Sequence, residues 1–160
     1  MRRSFGSTTP GCRGFLVSVK VGLPPVALED FRLFILGSLP GEASLAAGRY
    51  YAHPRNQFWR LVGAAIGEDL HALDYPRRLE RLAERKVGLW DVIGSALRPG
   101  SLDQAIRGAM HNPLDRLVED YPELAAVAFN GRSSAAIGRR LLAGGTRPLE
   151  LIDLPSSSPA

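Results

Sequence analysis

Five aromatic or imidazole rings fall within ten residues at Tyr50, Tyr51, His53, Phe58 and Trp59, interleaved with Arg55 and Asn56. Rings at this density suit stacking on nucleobases, and Asn and Arg side chains can hydrogen-bond to base edges. The stretch also has an ordinary structural reading: Phe58 and Trp59 fill the core of a helix, and Asn56 caps it. Trp59 fits the core role better, while for Asn56 and Phe58 both readings stand.

Three further segments are rich in Gly, Pro, Ser or Asn: Gly37-Ser38-Leu39-Pro40-Gly41, Asn130-Gly131 and Leu154-Pro155-Ser156-Ser157-Ser158. A glycine-flanked turn lets backbone approach a ligand closely and presents N–H groups to anions or carbonyl oxygens. Many strand-to-helix turns look similar, so the first segment alone decides little. The serines suit phosphate contacts, or equally an ordinary Ser-rich end.

These segments gain weight from the elements that must position them. Apolar, β-prone runs at Arg32–Leu36, Lys86–Ile93, Leu124–Phe129 and Leu149–Leu154 read as buried parallel strands. Helical periodicity covers Asn56–Ile66, Pro76–Arg85 and Arg132–Leu142, the last closed by Gly144 and Gly145. Ser101 with Gln104 reads as a capping box opening a helix, and Asn112-Pro113 as the cap and first position of a helix over Leu114–Glu119. Strand–helix alternation with short links predicts an α/β fold, a parallel sheet covered on both faces. Ligands in such sheets sit beyond the carboxyl ends of the strands, where the three loops fall.

The length of 160 residues suits one domain, placed at residues 22–160. Residues 1–21 carry Arg2, Arg3, Arg13 and Lys20 without an acid, and read as a disordered basic tail or an upstream start. The net charge of +4 and pI near 9.7 permit a polyanionic partner. Lys20 and Lys86 are nevertheless the only lysines beside 18 arginines, a bias that genome composition can produce. Cys12 is the single cysteine, which excludes an intrachain disulfide, a cysteine-based zinc site and an iron–sulfur cluster. With His53, His71 and His111 scattered, no metal site is expected. No apolar run reaches the length of a membrane-spanning helix, and the expectation is a cytoplasmic monomer.

The run from Gly37 through Gly41, Ser44-Leu45 and Tyr50 to Trp59 resembles the first motif region of the uracil-DNA glycosylase superfamily. It is most similar to the hypoxanthine-DNA (deoxyinosine) glycosylase branch. The resemblance continues through Gly22-Leu23-Pro24-Pro25, Val87–Ile93, Gly100–Asp103, Phe129-Asn130-Gly131 and Leu154–Ala160, in the same order. It implies a three-layer α/β/α domain around a four-stranded parallel sheet. The implied activity is flipping of a deaminated base (hypoxanthine, with uracil or xanthine as further candidates) and hydrolysis of its N-glycosidic bond, without metal or organic cofactor. Damaged DNA is the implied partner. A DNA-binding relative with weak or no catalysis is the alternative.

The resemblance also implies roles. Gly37, Ser38, Leu39, Pro40, Gly41 and Tyr51 would surround the base, and Phe58 would stack on it. Mismatch-specific relatives carry an Asn where this chain has Leu39, which cannot orient water, so that role passes to Asn56. Asn112 matches a second functional Asn and would read the base edge, although Pro113-Leu114 departs from the branch's Asn-Asp-Phe and an N-cap role is as consistent. His53, Arg55, Ser156, Ser157 and Ser158 would contact DNA. Relatives continue beyond the position of Ala160 into a wedge loop and a terminal helix, which this sequence is expected to lack.

Overall fold

The structure, a computed structural model, describes residues 18–159. Most of the basic tail, Cys12 included, lies outside the described residues. Four parallel strands form the central sheet in the order β3 (Val87–Asp91), β2 (Leu33–Gly37), β6 (Ala126–Asn130), β7 (Glu150–Leu154). The register pairs Gly37 with Asp91 and Asn130 with Leu154, so the strands end level along one edge.

Strand β2 shows why three layers form. Its side chains alternate faces. Phe34 and Leu36 enter one core with Val127, Phe129, Leu114, Leu117 and Leu124, whereas Ile35 enters the other with Leu89, Ala128, Phe58, Trp59, Leu70 and Leu82. The second core lies under α2 (Phe58–Ile66) and α3 (Tyr75–Glu84). The first takes apolar residues of α5 (Arg132–Leu142) and the short α4 (Leu117–Asp120). Gly138 brings α5 close to the sheet, since a Cβ there would lie 2.2 Å from the Phe129 ring. Ser134 Oγ, buried, donates to the Leu36 carbonyl at 2.6 Å and ties the same helix to β2.

The structure corrects four sequence expectations. The run expected as one strand over Lys86–Ile93 divides: after Asp91 the chain leaves the parallel sheet, and Ile93–Leu97 forms β4. Strand β4 pairs antiparallel with β1 (Val19–Val21) and β5 (Arg107–His111) in a second, three-stranded sheet. The end of the segment read as a disordered tail therefore carries an edge strand. The helix expected to open at Ser101 is a 3-10 turn over Asp103–Ala105 leading into β5. Ser101 Oγ instead accepts from the Glu42 backbone N–H at 2.9 Å, at the first turn of α1 (Glu42–Ala47), 59 positions away in the sequence. Asn112 caps no helix; its Nδ2 donates to the Asp91 carbonyl at 2.7 Å, across the split between the two sheets.

Candidate active site

A cleft of about 490 Å³ opens at the carboxyl ends of β2, β3 and β6, a size typical of small-molecule sites. Its wall on one side is Gly37–Gly41, the turn from β2 into α1. Arg98, 1 % exposed, stands behind this turn and donates to the carbonyls of Leu39, Pro40 and Gly100. Among the described residues the buried guanidinium hydrogen-bonds to these carbonyl oxygens, with the negative charges of Asp103, Glu42 and Asp91 near enough to stabilise it. In consequence the turn's carbonyls at Leu39 and Pro40 are held toward Arg98. Ser38 Oγ donates to Asp103, 2.8 and 2.7 Å from its two oxygens, which draws the Asp103 loop to the same wall.

The opposite side is built by the ring-rich segment. Tyr51 takes φ 54°, a left-handed conformation costly for a bulky residue. The turn is fixed from outside, because the Ala52 N–H donates to buried Ser44 Oγ at 3.1 Å. Tyr51 thereby lies on Phe58, centroids 3.7 Å apart and planes 10° from parallel. Asn56 lines the cleft and accepts the Phe58 N–H on Oδ1 at 2.9 Å, which starts α2. His53 Nδ1 accepts from the Arg55 N–H at 3.1 Å, keeping both residues at the cleft.

The floor holds the least expected residue. Asp91 is 4 % exposed at the end of β3, lines the cleft, and its Oδ2 has no hydrogen-bond partner. The Tyr51 hydroxyl is likewise enclosed without one. Both crowd Gly37, where a Cβ would lie 2.6 Å from Asp91 Oδ1 and 3.3 Å from Tyr51 Oη. Burial pushes the Asp91 carboxyl up to about 7, helped by the negative charge of Asp103 and opposed by Arg98. Burial also raises the Tyr51 phenol, reinforced by Asp91 and opposed by the Asn130 side chain.

The chain end closes the site. Asn130 Nδ2 donates to Ser157 Oγ at 2.9 Å, and the Ser157 N–H returns to Asn130 Oδ1 at 3.0 Å. The Gln57 N–H donates to the Ser157 carbonyl at 3.0 Å. One buried serine thus joins β6, the terminal loop and the start of α2.

Residues 24–160 match the family model of the uracil DNA glycosylase superfamily. The chain belongs to this superfamily. It is 46 % identical over 115 residues to a hypoxanthine DNA glycosylase of Methanosarcina barkeri, covering 72 % of this chain and 73 % of that protein. A hypoxanthine DNA glycosylase of Methanosarcina acetivorans is 41 % identical over 142 residues, 89 % of this chain and 88 % of that one. The solution NMR structure of a Methanosarcina acetivorans protein described as a uracil DNA glycosylase superposes with a TM-score of 0.79 at 41 % identity, covering 88 % and 86 % of the two chains.

Within this superfamily member, the cleft gathers Gly37, Ser38, Leu39, Pro40, Gly41, Tyr51, His53, Arg55, Asn56, Ser156, Ser157 and Ser158. Two expected site residues fall elsewhere. Asn112 does not line the cleft, because its amide is engaged on the Asp91 carbonyl and its Oδ1 lies against Gly94. Phe58 is 3 % exposed with Tyr51 across its face and does not line the cleft, whereas Tyr51 does. Ser157 is buried, so its contacts are internal. Asp91 and Asp103 were given no role from sequence, and Asn130 was named only as part of a strand-end segment, although an Asp inside the apolar run Val87–Ile93 is itself a signal, since buried strands seldom carry unpaired charge. Among the described residues, no helix is long and apolar enough to cross a membrane, and no group of three or more acidic, His or Cys side chains could hold a metal ion.

Proposed function

We propose that this chain is a monofunctional DNA glycosylase that excises hypoxanthine, with uracil and xanthine as secondary substrates. The observation that carries this reading is the 46 % and 41 % identity to two hypoxanthine DNA glycosylases over most of their lengths. The cleft supports it chemically. Glycosidic hydrolysis needs an enclosed site that stabilises a departing base and delivers water to the sugar. The Gly37–Gly41 turn and Tyr51 enclose the flipped base. Asn56 orients the water through its amide, and His53, Arg55, Ser156 and Ser158 meet the DNA backbone at the rim. Water then adds to C1′ as the C1′–N9 bond breaks, leaving free hypoxanthine and an abasic site.

An end-labelled duplex with one deoxyinosine is incubated with the protein in EDTA, and alkali reveals abasic sites. Cleavage at the deoxyinosine is expected, from a protein that elutes as a monomer, together with cytoplasmic fractionation in cells. Intact DNA after incubation with folded protein would leave a DNA-binding role without catalysis. Asn56→Ala should lower the single-turnover rate by 100-fold or more, on the order of the loss for a group acting in the transition state. DNA binding should change far less.

A further inference from the structure

Hydrolysis is assisted by a group that accepts a proton as water adds to C1′, and a neutral amide such as that of Asn56 is not such a group. Three carboxylates line the cleft: Glu42, Asp91 and Asp103. Glu42 is exposed and paired with Lys20 Nζ at 2.6 Å. Asp103 receives the Ser38 hydroxyl on both oxygens. Asp91 alone is buried with a carboxyl oxygen that has no partner. Leaving such a group unmatched in a folded interior is costly, and groups of this kind persist where chemistry uses them.

We propose that Asp91 is a catalytic residue of this cleft, the base that takes a proton from the attacking water. The inference rests on the hydrolytic reading of the same site. As the C1′–N9 bond breaks, its electron pair leaves with the base and the water oxygen bonds to C1′. One water proton passes to the Asp91 carboxylate and then to the released base anion, which restores the carboxylate. The negative carboxylate also favours the cationic character that develops on the sugar.

The surroundings suit the role. Gly37 leaves the space beside the carboxyl that any Cβ would fill. The charged and titratable groups facing it are Asp103 and Arg98 along the wall and Tyr50 and Tyr51 opposite. Their balance leaves the carboxyl titrating near neutrality, where a general base works best.

The test measures single-turnover excision of hypoxanthine by the wild type, Asp91→Asn and Asp91→Glu, with DNA affinity and thermal melting for each. The expected result is a loss of about 100- to 10,000-fold in Asp91→Asn. Its DNA affinity should stay within threefold and its melting temperature should not fall, while Asp91→Glu recovers part of the rate. The wild-type rate should rise with pH through about 7 and level off above, and Asp91→Asn should lose that rise. An Asp91→Asn rate within threefold of wild type, or a flat wild-type profile, overturns the role of Asp91 alone. If Asp91→Asn fails to fold, the wild-type profile and Asp91→Glu decide. A wild type that excises none of hypoxanthine, uracil or xanthine overturns the functional reading and this proposal with it.

Discussion

The Tyr51 ring covers the face of Phe58, with centroids 3.7 Å apart and planes within 10°. Phe58 in turn meets Trp59 edge-on at 5.0 Å, so the cleft-lining tyrosine is the outermost layer of an aromatic stack that runs into the core. Phe58→Ala should therefore act as a core deletion, costing about 3–5 kcal/mol in urea unfolding. It should also release Tyr51 from its left-handed turn. Near wild-type stability would show that the stack is not part of the folded core.

Gly37→Ala tests the close approach of strand end to carboxyl. The new methyl would lie 2.6 Å from Asp91 Oδ1, so the carboxyl must shift. Excision should fall by at least tenfold, with a stability loss of about 1–3 kcal/mol from overpacking. A variant with unchanged rate would mean that the carboxyl can move without consequence.

Asp91 also governs stability against pH. Its folded-state carboxyl titrates near 7, above the ordinary value of 3.8, so the folded protein holds this proton more tightly than the unfolded chain. Stability from this group is present below about pH 4 and is lost as pH rises toward 7. Asp91→Asn should remove that dependence, and above pH 7 should melt no lower than wild type. Thermal melts from pH 4 to 8 check the sign. A wild type that gains stability from this group with rising pH would contradict the buried, unpaired state.

Ser157→Ala removes the acceptor for Asn130 Nδ2 while leaving the backbone N–H bond to Asn130 Oδ1. The loss should cost about 1 kcal/mol of stability. Because Asn130 lines the cleft, KM for the deoxyinosine duplex should rise severalfold with a smaller change in kcat. A change confined to kcat would point to direct chemistry by Ser157.

Gly138→Ala probes the layer packing away from the cleft. A Cβ would strike the Phe129 ring at 2.2 Å, forcing α5 outward. A loss of about 1–3 kcal/mol is expected by calorimetry. An unchanged melting temperature would mean that α5 shifts freely on the sheet.

Local pattern carried most of the framework. Helix α5 occupies Arg132–Leu142 as its periodicity predicts, and the four parallel strands fall within two residues of their apolar runs. The second sheet was not legible. Its strands are three to five residues long, β1 and β5 are largely exposed while β4 is buried or half-buried, and register shifts run along β4 and β5, so no apolar alternation marks them. Ser101 and Asn112 have the residue types of helix caps, but their hydrogen bonds go to distant partners, Glu42 and Asp91.

By itself the sequence determined the superfamily, the parallel α/β framework and the loops that form the cleft, because these follow from periodicity, turn residues and ordered motifs. Only the tertiary structure decided which polar side chains line the cleft. Asn112 and Asp91 lie 21 positions apart, yet folding ties the amide of one to the backbone of the other. It also encloses the Asp91 carboxyl between Gly37 and the ring-rich turn. Burial and the loss of hydration, which no local pattern encodes, raise that carboxyl toward neutrality.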